Sequence, residues 1–219
     1  MRAKYLGLDL PSPIIVSSSP YTSNVKSVEQ CAASGAGAVV LKSIFEEQIL
    51  HHAAALDTVS DSAYGDAEVY LQRYLGEDYK AGFLRLVQEA RSKTELPVIA
   101  SINCVVDKGD WIEYATAMAD AGASALELNI FIQSTDIHAQ ARELELNYAE
   151  IVGRVAGAVK IPVSVKLPMR LTNVFALSSA LLGHGARGVV FFNRFFEPDV
   201  DVELSLIHIS EPTRRRGIS

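Results

Sequence analysis

Residues 97–129 read PVIASINCVVDKGDWIEYATAMADAGASALELN and contain one full unit of the pattern that decides the fold. An apolar run, VIASIN, leads into an amphipathic stretch at 111–121 and, after a Gly-Ala pair, into a second apolar run, ALELN. Both runs are nearly continuous in apolar residues, which is typical of strands buried on both faces of a parallel sheet. The stretch therefore predicts a strand, a helix and a second, parallel strand.

The same unit recurs along the chain. Apolar runs that end in polar residues occupy 14–19, 38–43, 97–103, 124–129, 162–168 and 188–193. Amphipathic stretches of helical length lie at 79–92, 111–121, 148–159 and 173–184. Ser27 and Gln30 resemble a capping box that opens a further helix. A Gly-Ala signal precedes three of the strands, where glycine would supply a left-handed helix cap.

Six such units are compatible with an open doubly wound sheet or with a (β/α)₈ barrel. No Gly-x-Gly-x-x-Gly follows the first strand, and polar residues end every strand instead of clustering at one switch point. We therefore expect an α/β fold, an incomplete TIM barrel with about six of its eight βα units, whose strands share one mouth. The opening segment 4–13 predicts a β-hairpin that plugs the bottom, and 43–78 is long for a strand-to-helix connection.

Composition excludes several classes of protein. The net charge of −6 and the pI near 5.4 offer no basic surface to nucleic acid. No apolar run approaches the roughly 20 residues that span a bilayer, and the first residues lack the apolar core of a signal peptide. We expect a cytoplasmic protein without a nucleic-acid or membrane partner. Cys31 and Cys104 are far apart, which argues against a structural zinc site and a disulfide framework.

Polar side chains close each of the predicted strands. They are Ser17, Ser18, Ser19, Lys42, Ser43, Asn103, Asn129, Lys166 and Asn193. Lysine and asparagine are costly in a packed interior, but they suit a barrel mouth that holds something flat, polar and electron-rich. A flavin ring fits, because its pyrimidine edge accepts hydrogen bonds and a nearby lysine would stabilise the anionic reduced ring. Any single member could instead be a snorkelling lysine or a turn asparagine.

The motifs at these strand ends resemble those of the class 1 dihydroorotate dehydrogenase family. YLGLDLPSPIIVSSSP, VVLKS, SINC, LELN, VKLP and FFN follow the family's order and spacing over residues 4 to about 203. The resemblance implies a (β/α)₈ barrel that binds FMN and oxidises dihydroorotate or a related dihydropyrimidine, a step of pyrimidine biosynthesis. It also implies a homodimer as a candidate assembly, since the family often dimerises.

The resemblance implies a role for most of the strand-end residues. Lys42 would lie between the flavin and the substrate, and Asn129 and Asn193 would bind the substrate and the flavin edge. The cofactor-binding residues that it implies are Ser18, Ser19, Lys42, Asn103, Asn129, Lys166 and Asn193.

The sequence departs from the family pattern where the catalytic base is expected. Family members follow the LELN asparagine with Ser-Cys-Pro-Asn, but here 129–134 read NIFIQS, which puts Ile132 at the base position. Because oxidation of dihydroorotate must remove a proton as well as a hydride, we take Ser134 and Lys42 as the catalytic candidates. Cys104 is an alternative base, although it and Ser134 can equally be structural. Tyr64 lies where a substrate-loop asparagine is expected.

Residues 204–219 differ in character from the rest of the chain. LSLIHISEPTR (204–214) resembles the translation of an adapter used in sequencing libraries, and the alternative is a natural polar tail. We expect an FMN-binding barrel domain at 1–203 and a non-native tail at 204–219. On this interpretation strands seven and eight of the barrel are lacking, and this chain binds FMN poorly because those strands carry the phosphate-binding loops.

Two other functions stay open from the sequence. Ile132 favours a divergent member of the family that binds FMN or another ligand without catalysis. Lys166 at a strand end would also suit a Schiff-base barrel enzyme. A metal enzyme is less well supported, because His51 and His52 are adjacent and adjacent side chains on a helix or strand point apart.

Overall fold

The computed structural model describes residues 1–45, 65–103, 111–132, 138–193, 197–201 and 206–210. The helices in these ranges are α1 (Val25–Ala33), α2 (Gly65–Lys93), α3 (Trp111–Asp120), α4 (Ala141–Ala158) and α5 (Val174–Gly183), with a 3₁₀ turn at Pro20–Ser23. The strands are β1 (Ala3–Tyr5), β2 (Leu8–Leu10), β3 (Ile15–Val16), β4 (Ala38–Val40), β5 (Ile44–Phe45), β6 (Val98–Asn103), β7 (Ala125–Asn129), β8 (Val163–Leu167), β9 (Gly188–Phe191), β10 (Glu197–Asp201) and β11 (Leu206–Ser210). Within this part of the chain, no helix combines the length and the apolar character needed to cross a membrane.

The six predicted strands form one parallel sheet in chain order, β3-β4-β6-β7-β8-β9, and β5 also pairs with β6. The order never reverses, unlike that of a doubly wound sheet. Strands β3 and β9 at the two edges line one cavity, through Ile15 and Ser17 on one side and Val189–Phe191 on the other, so the sheet is curled. The fold is an incomplete α/β barrel, which confirms the predicted class; the count of eight units stays a prediction.

Both faces of the sheet are buried, which explains why the strands are almost continuously apolar. On β7, Leu126 and Leu128 belong to the outer core that packs against the helices, whereas Ala125 belongs to a separate inner cluster. Strands β1 and β2 pair antiparallel at the amino ends of the barrel strands. Leu10 of β2 and Leu6 of the turn between the two strands are buried in the same inner cluster, and the predicted plug at the bottom of the barrel stays a prediction.

Glycines end three helices as the sequence predicts. Gly35, Gly122 and Gly185 have φ angles of 82°, 97° and 102°. The N–H of the next residue, Ala36 after Gly35, donates to the carbonyl of Cys31 five residues earlier at 3.1 Å. This is the bond of a Schellman cap, and the N–H groups of Ala123 and Ala186 make the equivalent bonds after Gly122 and Gly185. Each cap turns the chain from the end of its helix back toward the sheet.

Three expectations about helix starts are wrong, and one of them concerns α4, which begins at Ala141 instead of at the predicted residue 148. Helix α1 begins at Val25 instead of at a capping box on Ser27, because the Asn24 side chain accepts the Ser27 N–H at 3.0 Å and caps the helix. Helix α2 begins at Gly65, well before the predicted residue 79, so the connection predicted over 43–78 is shorter than expected. Residues 46–64, with Tyr64 and the His51–His52 pair, lie outside the described residues.

Strands β10 and β11 pair antiparallel with each other, apart from the parallel sheet. The register sets Glu197 opposite Ser210 and Asp201 opposite Leu206. This pairing does not test whether 204–219 is a non-native tail, which stays a prediction.

The backbone of Gly37, just before β4, lies very close to the backbone of residues 12–14, just before β3. A Cβ at this position would overlap the carbonyl of Ser12, and the Gly37 N–H donates to Ile14 O at 2.7 Å. We expect Gly37→Ala to lower the free energy of unfolding by about 3 kcal/mol. The control Gly157→Ala lies on α4 with open space around it, and it is expected to gain about 0.5–1 kcal/mol from helix propensity. Urea unfolding compares them, and equal midpoints for the two variants would contradict the packing at Gly37.

Candidate functional site

The carboxyl ends of the central strands carry polar side chains at one level. The register pairs Asn129 of β7 with Lys166 of β8. It also pairs Leu128 with Ile102, which sets Asn103 of β6 level with Asn129. Because neighbouring parallel strands end at the same edge, three of the predicted site residues lie side by side at this end of the sheet.

Asn129 and Asn193 are in direct contact. Nδ2 of Asn193 donates to Oδ1 of Asn129 at 2.6 Å, and the Asn193 backbone N–H donates to the Leu167 carbonyl at 2.7 Å. Asn129 is buried and Asn193 is half-buried. The hydrogen bond connects β7 to the segment after β9, which lies two strands away in the sheet. It brings Asn129 and Asn193, two predicted site residues, together.

Glu127 and Lys166 form an ion pair inside the curled sheet. Lys166 Nζ lies 3.8 Å from Glu127 Oε1, and the side chains are only 13% and 6% exposed. Burial raises the pKa of the Glu127 carboxyl, and the Lys166 charge lowers it by a smaller amount. Within the described residues, Glu127 Oε1 accepts no hydrogen bond. Desolvation therefore outweighs the attraction to the ammonium, and the carboxyl binds its proton more tightly than in water.

Tyr5 of β1 forms the floor beneath this pair. Burial raises the pKa of the Tyr5 hydroxyl, the hydrogen bond with Ser164 lowers it, and the charge of Glu127 raises it further. Ser164 in turn donates to Leu126 O at 3.0 Å. Tyr5, Ser17, Glu127 and the apolar Val40 and Val190 are among the residues that line a cavity of about 290 Å³. The interior below the strand ends is thus lined by both polar and apolar side chains.

A row of serines joins the first three barrel strands. Ser43 Oγ lies 2.7 Å from Ser101 Oγ, and both residues are buried. The Ser43 N–H donates to Ser18 Oγ at 3.0 Å. The Ser18 hydroxyl therefore holds the end of β3 against the segment after β4. The same hydroxyl is the one that the sequence predicts to approach the flavin.

Ser19 and Lys42 lie beside the 3₁₀ turn. The Ser19 N–H donates to Thr22 Oγ1 at 3.2 Å, and the Lys42 N–H donates to Thr22 O at 3.3 Å. Lys42 is half-buried and lines a cavity of about 430 Å³ with Ser23, Tyr79 and other residues of α2. Within the described residues, no side-chain bond links Lys42 or Asn103 to the Asn129–Asn193 or Glu127–Lys166 pairs, so their predicted roles rest on position along the strands.

Ile132 at the expected base position packs against the outer core. Its N–H donates to the Tyr148 hydroxyl at 3.2 Å. Burial raises the pKa of this hydroxyl, and the hydrogen bond with Ile132 lowers it. Ile132 is thus held by the helix side of the sheet. The two other candidates for the base, Ser134 and Cys104, lie outside the described residues.

Sequence reasoning missed Glu127, Ser101 and Tyr5. A signal for Glu127 was present, because it is a carboxylate inside an otherwise apolar run and Lys166 follows in the next run. The register makes them diagonal neighbours, since Glu127 pairs with Ser164, two residues before Lys166. The contact of Tyr5 with this group comes from the folding of β1 beneath the sheet and has no local signal.

The site and the fold together define an incomplete α/β barrel with polar residues at the carboxyl ends of its strands. No protein-family model matches the chain. Over 123 residues, 54% of the chain, it is 34% identical to a protein of Aeropyrum pernix named "Putative dihydroorotate dehydrogenase A (fumarate)". Over 90% of its length it is 29% and 28% identical to the catalytic subunits of dihydroorotate dehydrogenase B (NAD(+)) of Methanocella arvoryzae and Methanosarcina acetivorans.

These matches cover 38% of the first relative and 62% of each of the other two. Relatives of both kinds, the fumarate type and the NAD-dependent type, carry the name dihydroorotate dehydrogenase. The chain is therefore similar to proteins named dihydroorotate dehydrogenase, which confirms the resemblance expected from its strand-end motifs.

The raised pKa of Glu127 predicts a pH-dependent stability. The folded protein retains this proton at pH values where the unfolded chain has lost it, so the contribution is present at low pH and is lost as pH rises through the folded pKa. We expect the unfolding free energy of the wild type, minus that of Glu127→Gln, to decrease as the pH rises above about 4.3, the ordinary pKa of a glutamate.

Urea unfolding at several pH values measures this difference. Glu150→Gln, on the exposed surface of α4, is the control for removal of one carboxylate. A difference between wild type and Glu127→Gln that increases as the pH rises would refute the raised pKa of the Glu127 carboxyl.

Proposed function

We propose that the protein is an FMN-dependent oxidoreductase that oxidises dihydroorotate or a related dihydropyrimidine in pyrimidine biosynthesis. Residues 1–203 would belong to an FMN-binding (β/α)₈ barrel domain and 204–219 to a non-native tail. The observation that carries the proposal is the grouping of Lys166, Asn129 and Asn193 at the carboxyl ends of β8, β7 and β9. The similarity to proteins named dihydroorotate dehydrogenase supports it.

The residues present fit FMN by the chemistry of their donors. The Lys166 ammonium and the amides of Asn103 and Asn129 lie at one level on adjacent strands, and Lys166 is already balanced by a carboxylate below. An ammonium and amides of this kind suit the carbonyls and ring nitrogens at the pyrimidine edge of a flavin. Ser18, Ser19 and Lys42 would complete the set from the first two strands. The bound cofactor would supply the hydride acceptor.

The roles of the chain's own residues follow from this placement. Asn129 and Asn193 would orient the substrate by hydrogen bonds, and their mutual contact holds the two amides in place. Lys42 would lie between cofactor and substrate. A proton must leave the substrate together with the hydride, and Ser134 stays the proposed acceptor of that proton.

A second candidate function is binding without catalysis. It is favoured by Ile132, which has no group that can accept a proton and which packs against the outer core. In this case the polar strand ends would hold FMN or a similar ligand, but dihydroorotate would not reduce it.

The proposals for the cellular location and the partners of the protein rest on the same resemblance. We propose a cytoplasmic protein that acts on a small molecule and forms a homodimer. Sedimentation of the purified gene product would measure its mass in solution, and a monomer at all concentrations would refute the dimer.

The test of the function is an absorbance spectrum of the gene product with barrel strands seven and eight included, purified without added cofactor. Visible flavin absorbance that bleaches on addition of dihydroorotate is the expected result. Flavin that stays oxidised would favour the binding role instead. A colourless protein that also takes up no FMN would refute both.

Lys166 gives a sharper prediction. We expect Lys166→Met to weaken FMN binding by roughly tenfold or more, because it removes the cationic donor at the strand ends. The control Lys160→Met removes an exposed lysine before β8, at the opposite end of the strand, and is expected to leave binding unchanged. Titration of FMN fluorescence measures both affinities, and equal affinities in the two variants would remove Lys166 from the site.

A further inference from the structure

The Glu127–Lys166 pair places a carboxylate and an ammonium in a part of the protein where each alone would be costly. Both side chains are almost completely buried. Glu127 lies on β7 directly before Leu128 and Asn129, and the alternation of the strand sends Glu127 and Asn129 to the same inner face. Lys166 pairs with Asn129 in the register, so the ion pair lies immediately beneath the polar strand ends.

The geometry of the pair leaves the lysine able to bind something else. At 3.8 Å the two groups attract each other, but the distance is too long for a hydrogen bond. Glu127 Oε1 accepts no hydrogen bond, and none of the contacts within the described residues uses the Lys166 N–H donors. The carboxylate therefore balances the charge of Lys166 without occupying its donors.

Glu127 has polar side chains as neighbours below it. Tyr5 and Ser164 are the groups that face it from β1 and β8, and Tyr5 closes the cavity that Glu127 lines. The apolar side chains of Val40 and Val190 bound the same cavity. Among the described residues, Lys166 is the only positive charge beside this carboxylate. The electrostatic effect of Glu127 is therefore mainly on Lys166.

We propose that Glu127 is a positioning residue for Lys166, holding the ammonium at the inner face and balancing its charge so that its donors meet an electron-rich, anionic heterocycle bound above. This rests on the proposed function, in which that heterocycle is the flavin. Glu127 touches neither cofactor nor substrate and acts through Lys166. Removing its charge leaves the lysine in place but uncompensated.

The first test needs no cofactor. Lys166 in the purified full chain is acetylated with acetic anhydride at neutral pH and quantified by mass spectrometry, with Lys160 as the internal reference. A buried ammonium without a counter-charge is disfavoured, so Glu127→Gln is expected to be acetylated at Lys166 roughly tenfold faster than wild type. Glu127→Asp, whose shorter side chain lies farther from Lys166, should change in the same direction by less, and it decides the test if Glu127→Gln does not fold. Rates equal to wild type in the folded variant overturn the proposal.

The second test separates positioning from general stability. The reduction potential of bound FMN is measured in wild type, in Glu127→Gln and in the surface control Glu150→Gln. An uncompensated ammonium favours the reduced, anionic ring, and tenfold tighter binding of that form corresponds to about 30 mV for a two-electron couple. A potential that rises in Glu127→Gln alone supports the proposal, whereas an unchanged potential contradicts it.

The two tests distinguish the inference from the function on which it rests. A wild-type protein that takes up no FMN even with barrel strands seven and eight included, together with faster acetylation of Lys166 in Glu127→Gln, would refute the flavin function while the pairing of Glu127 with Lys166 stands. Bound FMN with unchanged acetylation and unchanged potential would refute the role of Glu127 and leave the function intact.

Discussion

Hydrogen bonding between parallel strands in chain order is the constraint on which the rest of this structure depends. Each strand from β3 to β9 pairs with its neighbour in the sheet, so every connection between them must cross back along the sheet, and α1 to α5 lie in these connections. The helices cover the outer face, and the curl of the sheet together with the β1–β2 pair covers the inner one. The same constraint brings all the carboxyl ends to one edge, where the polar side chains collect.

The polar groups of the interior are arranged in pairs, because a buried polar group is tolerated mainly when another group satisfies it. Asn129 bonds to Asn193, Ser43 contacts Ser101, and Glu127 lies beside Lys166. The first two pairs are hydrogen-bonded and resemble ordinary internal polar contacts. Among the described residues, the third has no hydrogen bond between its two charged groups and leaves the Lys166 donors unused, which is why it is the most informative part of the site about a ligand.

The similarity to dihydroorotate dehydrogenases favours a catalytic function, whereas the packing of Ile132 favours binding without catalysis. The strand-end lysines and asparagines suit the proposed flavin site, whereas the residue at the expected base position packs against the outer core. A site can retain its binding groups while its proton-transfer group changes, because hydride acceptance and proton removal depend on different residues. Binding and turnover are therefore separate questions for this protein.

Several features follow from the sequence by itself. The six strands, their parallel arrangement and the glycine caps are local patterns, because burial on both faces makes a strand continuously apolar and a left-handed cap requires glycine. The Asn24 cap and the early starts of α2 and α4 were missed, since several residues in each region can begin a helix. Only the tertiary structure sets Tyr5 beneath Glu127 and Asn193 against Asn129. These contacts join segments far apart in the chain, and their geometry depends on the curl of the sheet, which no local pattern encodes.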